Sequence, residues 1–174
     1  MNKLNEHFAS TGKRIQEQIE LELEEAEPAS AERNINRPVT PRLNRIEEIP
    51  ESVIFEIIKN INANKATGID GVPVKIIKKA IHVLIKPITI LTNTIIRTTK
   101  FPRELKAALV TPAFKKGDKS NMDNYRPLSI LPTISKMSEY VIKNQIYKYL
   151  EENDLLSDTQ HAFRVGHSTT TCLI

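Results

Sequence analysis

The chain is 174 residues long, 40% hydrophobic and 26% charged, which is enough for one domain with a core and a small extension. Its single cysteine, Cys172, excludes an internal disulfide and a cysteine-based zinc site, so a reducing, intracellular setting is the default. No run of about eighteen residues is free of charge, which excludes a membrane span, and a net charge of +4 suits nucleic acid without requiring it.

Residues 1–27 read as an acidic amphipathic helix. Leu4, Phe8, Ile15, Ile19, Leu21 and Leu23 form an imperfect apolar stripe, and glutamates crowd the second half. A contact to a partner is one use for such a helix; a solvated face is the more ordinary one. Residues 28–50 read as a linker, because Pro28, Pro38, Pro41 and Pro50 stand among polar residues with no periodic apolar pattern to offset the ordering entropy. Glu51 to Ala63 should be a short helix, with Val53, Ile54, Ile57, Ile58 and Ile61 at helical spacing. Gly68 and the Asp70-Gly71 pair mark a turn, and Pro73 suits the start of the next helix. That helix should run to Thr99 and be kinked or split at Pro87, since proline removes a hydrogen bond and clashes with the preceding turn.

Two β-leaning runs, ending at Phe114 and starting at Tyr125, flank a polar loop and read as a strand pair. The loop is longer than a two-residue hairpin turn, so the turn alone does not set the register. Lys115, Lys116, Lys119 and Arg126 cluster at its tip and shoulders, where a stiff ribbon can aim cations at phosphates; a lone basic loop would otherwise read as a solvated surface hairpin. Thr133 to Glu152 should be a helix, followed by a loop, a short strand around Phe163-Arg164, and Ser168 as a helix cap. The histidines His7, His82, His161 and His167 lack cysteine partners at ligand spacing, so no metal site is read from them.

Three blocks carry a family resemblance. Lys65-Ala66-Thr67-Gly68-Ile69-Asp70-Gly71-Val72-Pro73 is the first. The second runs from Phe101-Pro102 to Lys119 and on through Asn124-Tyr125-Arg126-Pro127-Leu128-Ser129-Ile130-Leu131-Pro132 with Ser135-Lys136. Leu156 to Thr169 is the third. In this order and at these separations they resemble the fingers region of reverse transcriptases, the RNA-directed DNA polymerases of non-LTR (LINE-type) retrotransposons. The resemblance covers Ile57 to Ile174 well.

The resemblance implies an α+β fold, mostly helical with a short antiparallel strand pair, in which residues 51–174 are a partial polymerase domain whose palm is missing. It implies that Lys115 or Lys116 and Arg126 grip the triphosphate of the incoming nucleotide, Arg126 most strongly because its planar fork holds two phosphate oxygens. Gln160, Arg164 and Ser168 would lie against template. Partners in the complete enzyme would be an RNA template, a DNA primer, deoxynucleoside triphosphates and the missing palm and thumb segment.

Nucleotide addition needs paired carboxylates on two Mg²⁺ ions. Asp70, Asp118, Asp123, Asp154 and Asp158 include no adjacent pair and none lies in an apolar strand-like run. Mg²⁺ is therefore expected in the complete enzyme and not on this chain, which should be inactive alone. The alternatives are a stand-alone RNA- or DNA-binding module built on the basic hairpin, and an interaction protein built on the acidic first helix. Where the family usually has glycine this chain has Ala162, and Val165 and His167 stand where basic residues are common, which would strain a turn and weaken phosphate contacts.

Overall fold

Proline opens most of the helices. In the computed structural model, which describes residues 3–25, 43, 45–157 and 159–173, α1 spans Lys3–Glu25, α2 Glu51–Asn60, α3 Val74–Lys79, α4 Ile81–Thr98, α5 Arg103–Lys106 and α6 Thr133–Glu152. Strands β1 (Leu109–Phe114) and β2 (Tyr125–Ile130) form one antiparallel pair, with a 3₁₀ turn at Met122–Asn124 before β2. Pro50, Pro73, Pro102 and Pro132 each stand at the cap position of α2, α3, α5 and α6. None of these caps has a side-chain hydrogen bond, but each proline carbonyl accepts a first-turn amide: from Val53 at 3.1 Å, Ile76 at 3.0 Å, Leu105 at 3.2 Å and Lys136 at 3.2 Å. The fixed φ of proline and its missing N–H suit this position.

The core lies where α2, α3, α4 and α6 meet. Ile54 and Ile58, one turn apart on α2, pack with Ile77, Ile88, Met137 and Val141, all buried. Each such side chain contributes about 1.5–3 kcal/mol relative to exposure. Most polar side chains inside are paired: Thr92 on α4 and Ser138 on α6 share a hydroxyl hydrogen bond of 3.0 Å, and Thr89 Oγ1 donates to Ile85 O, whereas the buried Thr133 Oγ1 has no partner among the described residues. The end of the proline-containing stretch is docked on this body. Asn93 exchanges two hydrogen bonds of 2.9 Å with the backbone of Ile49. Gln145 does the same to Glu47, at 2.7 and 2.9 Å. Residues 26–42 and 44, most of the expected linker, lie outside the described residues.

Pro87 does not split the helix, and the break falls at Ala80. Pro87 sits inside α4. It is exposed, as is Val83, which is 76% accessible, so the carbonyl that proline leaves without an intrahelical donor is on the wet side. Ala80, at φ −97° and ψ 17°, turns the corner between α3 and α4, so that Ile77 and Ile88 reach the same α2 side chains. The short strand expected at Phe163-Arg164 is also absent: this segment is a series of turns, Phe163 has φ 61° and is 99% exposed, and among the described residues no strand pairs with it. The left-handed residues are Phe163 and Gly166 rather than Ala162, so any strain falls one residue later than expected. Ser168 makes the reciprocal bonds of a cap, its Oγ accepting from Thr171 N–H at 3.3 Å while Thr171 Oγ1 accepts from Ser168 N–H at 2.9 Å, but 169–172 is a turn and no helix follows it among the described residues.

The hairpin joins this body through one close approach. Gly68 is buried, and a Cβ there would sit 2.6 Å from Pro132 N and 2.7 Å from the carbonyl carbon and oxygen of Leu131. Lys136 Nζ donates to Ala66 O at 3.3 Å beside it. Gly68→Ala must displace backbone, so it should lower stability by about 1–3 kcal/mol. Urea denaturation checks this; an unchanged midpoint would mean that the turn and the β2–α6 junction are not in contact.

Candidate functional site

The hairpin ladder runs in the register Leu109↔Ile130 to Phe114↔Tyr125 and is extended by Lys115 N–H donating to Asn124 O at 2.8 Å. Side chains alternate along each strand. Arg126 is opposite Ala113, so Lys115, two residues on from Ala113, shares the Arg126 face together with Thr111 and Leu128. Lys116 lies beyond the last backbone pair, where alternation no longer fixes its face. Lys115, Lys116 and Arg126 are exposed, and no ion pair or hydrogen bond holds their side chains among the described residues. The ladder also disposes of its own free edges. If Lys115 and Asn124 form a hydrogen-bonded pair, alternation makes Pro112↔Pro127 a non-bonded one, so each proline stands where an amide would otherwise point outward.

The loop is closed by its own polar side chains. Asp118 accepts from the N–H and hydroxyl of Ser120 at 2.8 and 2.7 Å, and Asn121 accepts from Asp123 N–H at 3.0 Å. Asn124 Nδ2 donates to Asp118 O at 2.8 Å, and Tyr125 Oη donates to Lys119 O at 2.9 Å. Gly117 has φ 90°, and a Cβ there would come 2.7 Å from Asn124 Nδ2, so glycine answers both the backbone and the space. Lys119 is turned over the Phe114 ring, 5.8 Å from its centroid, away from the role of a free cation. The Ser120 N–H first, and then its hydroxyl, hold the Asp118 carboxyl below its usual value of 3.8.

Helix α1 lies on the other face. Leu4, Asn5 and Phe8 line a small hollow with Val110 and Pro112, which alternate with Ala113 and so point away from Arg126. His7 Nε2 is 3.3 Å from Asp123 Oδ1, and Arg14 Nη2 is 3.4 Å from His7 Nδ1. Arg14 can only donate, so this contact assigns the ring proton to Nε2, facing Asp123. The composition of the chain gave no sign of this link.

Gln160, Arg164 and Ser168 are tied up locally. Gln160 Nε2 donates to Ala162 O at 3.0 Å, Arg164 Nη1 to Ser157 O at 3.1 Å, and Ser168 is in its capping pair. Among the described residues no hydrogen bond or ion pair links this segment to the hairpin. The described aspartates are each engaged locally and apart from one another. Asp70 accepts from Val72 N–H, Asp118 serves Ser120, Asp123 faces His7, and Asp154 is a left-handed residue after α6; Asp158 lies outside the described residues. No group of three or more His, Cys, Asp or Glu side chains converges among the described residues. No helix among them is long and apolar enough to cross a membrane. An open groove of about 590 Å³ runs along α6, lined by Phe101, Leu131, Ile142, Ile146, Tyr147 and Leu150 among others. The Tyr147 hydroxyl is buried and has no hydrogen-bond partner among the described residues.

No protein-family model matches the chain. Among curated proteins it is 34% identical over 126 residues, 72% of its length, to "Probable RNA-directed DNA polymerase from transposon BS" of Drosophila melanogaster. It is 32% identical over 67% of its length to the X-element counterpart of the same species. To the mobile element jockey polymerase of Drosophila funebris it is 28% identical, again over 67%. The chain belongs with the RNA-directed DNA polymerases of non-LTR retrotransposons. It matches about 13% of the length of each of these relatives, so it corresponds to a fragment of such a protein. With this, the mixed fold of helices and one antiparallel strand pair is that of a reverse transcriptase fragment whose basic hairpin is open on the Arg126 side and shares a small hollow with the start of α1 on the other.

Asp118 gives a local test of the loop. Its carboxylate form is favoured in the fold, so the interaction is present above the ordinary carboxylate value and is lost as pH falls through the lowered one. The Ser120 amide proton, followed by NMR, should titrate with a midpoint below 3.8. A midpoint at or above that value would mean that the Asp118–Ser120 turn is not formed.

Proposed function

We propose that this chain is the fingers portion of a retrotransposon RNA-directed DNA polymerase, in which the open face of the hairpin grips the triphosphate of the incoming nucleotide. The observation that carries this reading is the register: Ala113↔Arg126 pairing turns Arg126 and Lys115 to one side of a stiff ribbon, both exposed and without partners among the described residues. Two cations held at a fixed spacing can neutralise and orient a polyphosphate without reorganising, which is how positioning and electrostatic preorganisation lower a barrier. Lys116 supplies further positive charge at the tip.

Template contact by Gln160, Arg164 and Ser168 requires these side chains to give up local hydrogen bonds, so we place it second to the hairpin. Mg²⁺ belongs to the remainder of the polymerase, since the aspartates of this chain are dispersed. We place the palm against the apolar groove along α6, where it would cover Ile142, Ile146 and Leu150 and offer the Tyr147 hydroxyl an acceptor. The chain alone is inactive in this account and retains electrostatic binding to nucleic acid.

A stand-alone binding module is the second reading, favoured by the same exposed cations. The two separate on activity in the assembled enzyme, where Arg126→Ala should raise the KM for nucleotide with a smaller effect on template binding. In the isolated chain, binding to single-stranded RNA should weaken linearly with log salt, and Arg126→Ala should reduce the slope by about one. A slope unchanged by the substitution would remove Arg126 from the phosphate contacts. Primer extension by the purified chain unaided would overturn the fragment reading.

A further inference from the structure

We propose that His161 and His167 form a two-imidazole site for a borderline divalent metal ion such as Zn²⁺, on the turns that follow α6. Phe163 at φ 61° and Gly166 at φ 75° double the chain back between them, and the two rings stand with centroids 5.4 Å apart. Both histidines are half-buried, whereas Phe163 is almost wholly exposed. The imidazoles, and not the phenyl ring, therefore occupy the inside of this turn.

Hydrogen bonds assign the nitrogen that each ring leaves over. His167 Nδ1 is 3.0 Å from Val165 O, which can only accept, so Nδ1 carries the proton. His161 Nδ1 is 3.0 Å from Thr171 Oγ1. That hydroxyl gives its one proton to Ser168 O at 2.9 Å, so it accepts from the imidazole. Both neutral rings thus present Nε2 as a bare lone pair, with no hydrogen bond or ion pair on it among the described residues. An Nδ1–H held by oxygen is what orients a ligating histidine and raises its basicity.

The separation suits one shared ion. With metal–nitrogen bonds of about 2.0–2.1 Å and a tetrahedral angle, two imidazole centroids stand roughly 5 Å apart. The donors select the metal, because imidazole nitrogen suits zinc, copper or nickel whereas Mg²⁺ takes oxygen. In chemistry the site is separate from the carboxylate-bound ions of nucleotide addition. Arg164, the cation between the two histidines in sequence, is turned to Ser157 O. No third His, Cys, Asp or Glu joins the pair among the described residues, so water fills the other positions. Bound, the ion clips residue 161 to residue 167 and holds the turn in its present form.

Calorimetric titration of the full chain with zinc chloride is the test, with a phosphine in place of a thiol reductant because Cys172 is exposed. Saturable one-to-one binding is expected, and no saturation overturns the proposal. His161→Ala and His167→Ala should each weaken binding at least about tenfold; an affinity unchanged by either overturns it. Cys172→Ser should bind zinc as the parent chain does, and loss of binding there would make the thiol the ligand and overturn the imidazole pair. Imidazole ¹⁵N NMR of the unsubstituted chain gives a readout that no variant's folding can confuse. Before zinc, both rings should show the Nδ1–H tautomer, and an Nε2–H tautomer at either overturns the site. Zinc should then shift Nε2 of His161 and His167 and leave His82 and the Asp123-engaged His7 unmoved. Equal shifts at all four histidines would mean adventitious binding and overturn it too.

Discussion

A hairpin can aim charge only if its base is fixed, and here the base is fixed where Gly68 lies against the Leu131–Pro132 backbone. There is no room for a methyl group at that contact. It ties the turn between α2 and α3 to the junction between β2 and α6, so the ribbon inherits the rigidity of the buried Ile54, Ile58, Ile77 and Met137 cluster. Pro132, Thr133 and Ser135, the residues that turn β2 into α6, are themselves buried in this joint. Two of the three blocks that carry the family resemblance thus meet in space: one brings the glycine, and the other brings the backbone it receives.

From that joint outward the chain uses short-range devices. Backbone pairing carries the ribbon as far as Lys115 and Asn124, and Asx-type bonds from Asp118 and Asn121 then close the loop. Prolines opposite each other on the two strands blunt edges that would otherwise invite another strand. The start of α1 shares a small hollow with one face, with the His7–Asp123 contact at the tip, and leaves the cationic face open. Rigidity, edge protection and one open face together define a surface rather than a pocket.

Much of this was legible in the sequence, for physical reasons that differ by element. α6 was readable end to end because Pro132 starts it and its apolar spacing is regular. The strands were readable from their β-leaning composition, and the cation cluster from charge alone. What joined Lys115 to Arg126 was not readable, because the register depends on a loop too long to dictate it. The corner at Ala80 was missed because proline is the louder signal, whereas an exposed Pro87 is tolerated and the turn is set by what Ile77 and Ile88 must reach. α5 is a single turn between extended segments and carries no periodicity. The strand expected at Phe163-Arg164 failed because a β-leaning dipeptide needs a neighbouring edge. The docking of Glu47 and Ile49 depends on the amides of Gln145 and Asn93, far away in sequence, which no local pattern can announce.

The central claim is that phosphate recognition belongs to one face of one ribbon. The most direct measurement is an NMR titration of the chain with inorganic triphosphate, following every backbone amide. The account predicts shifts concentrated from Lys115 to Arg126, and weak, uniform effects at the helical lysines Lys75, Lys78, Lys79 and Lys86. Shifts centred on those helices, or spread evenly over all the basic residues, would contradict it.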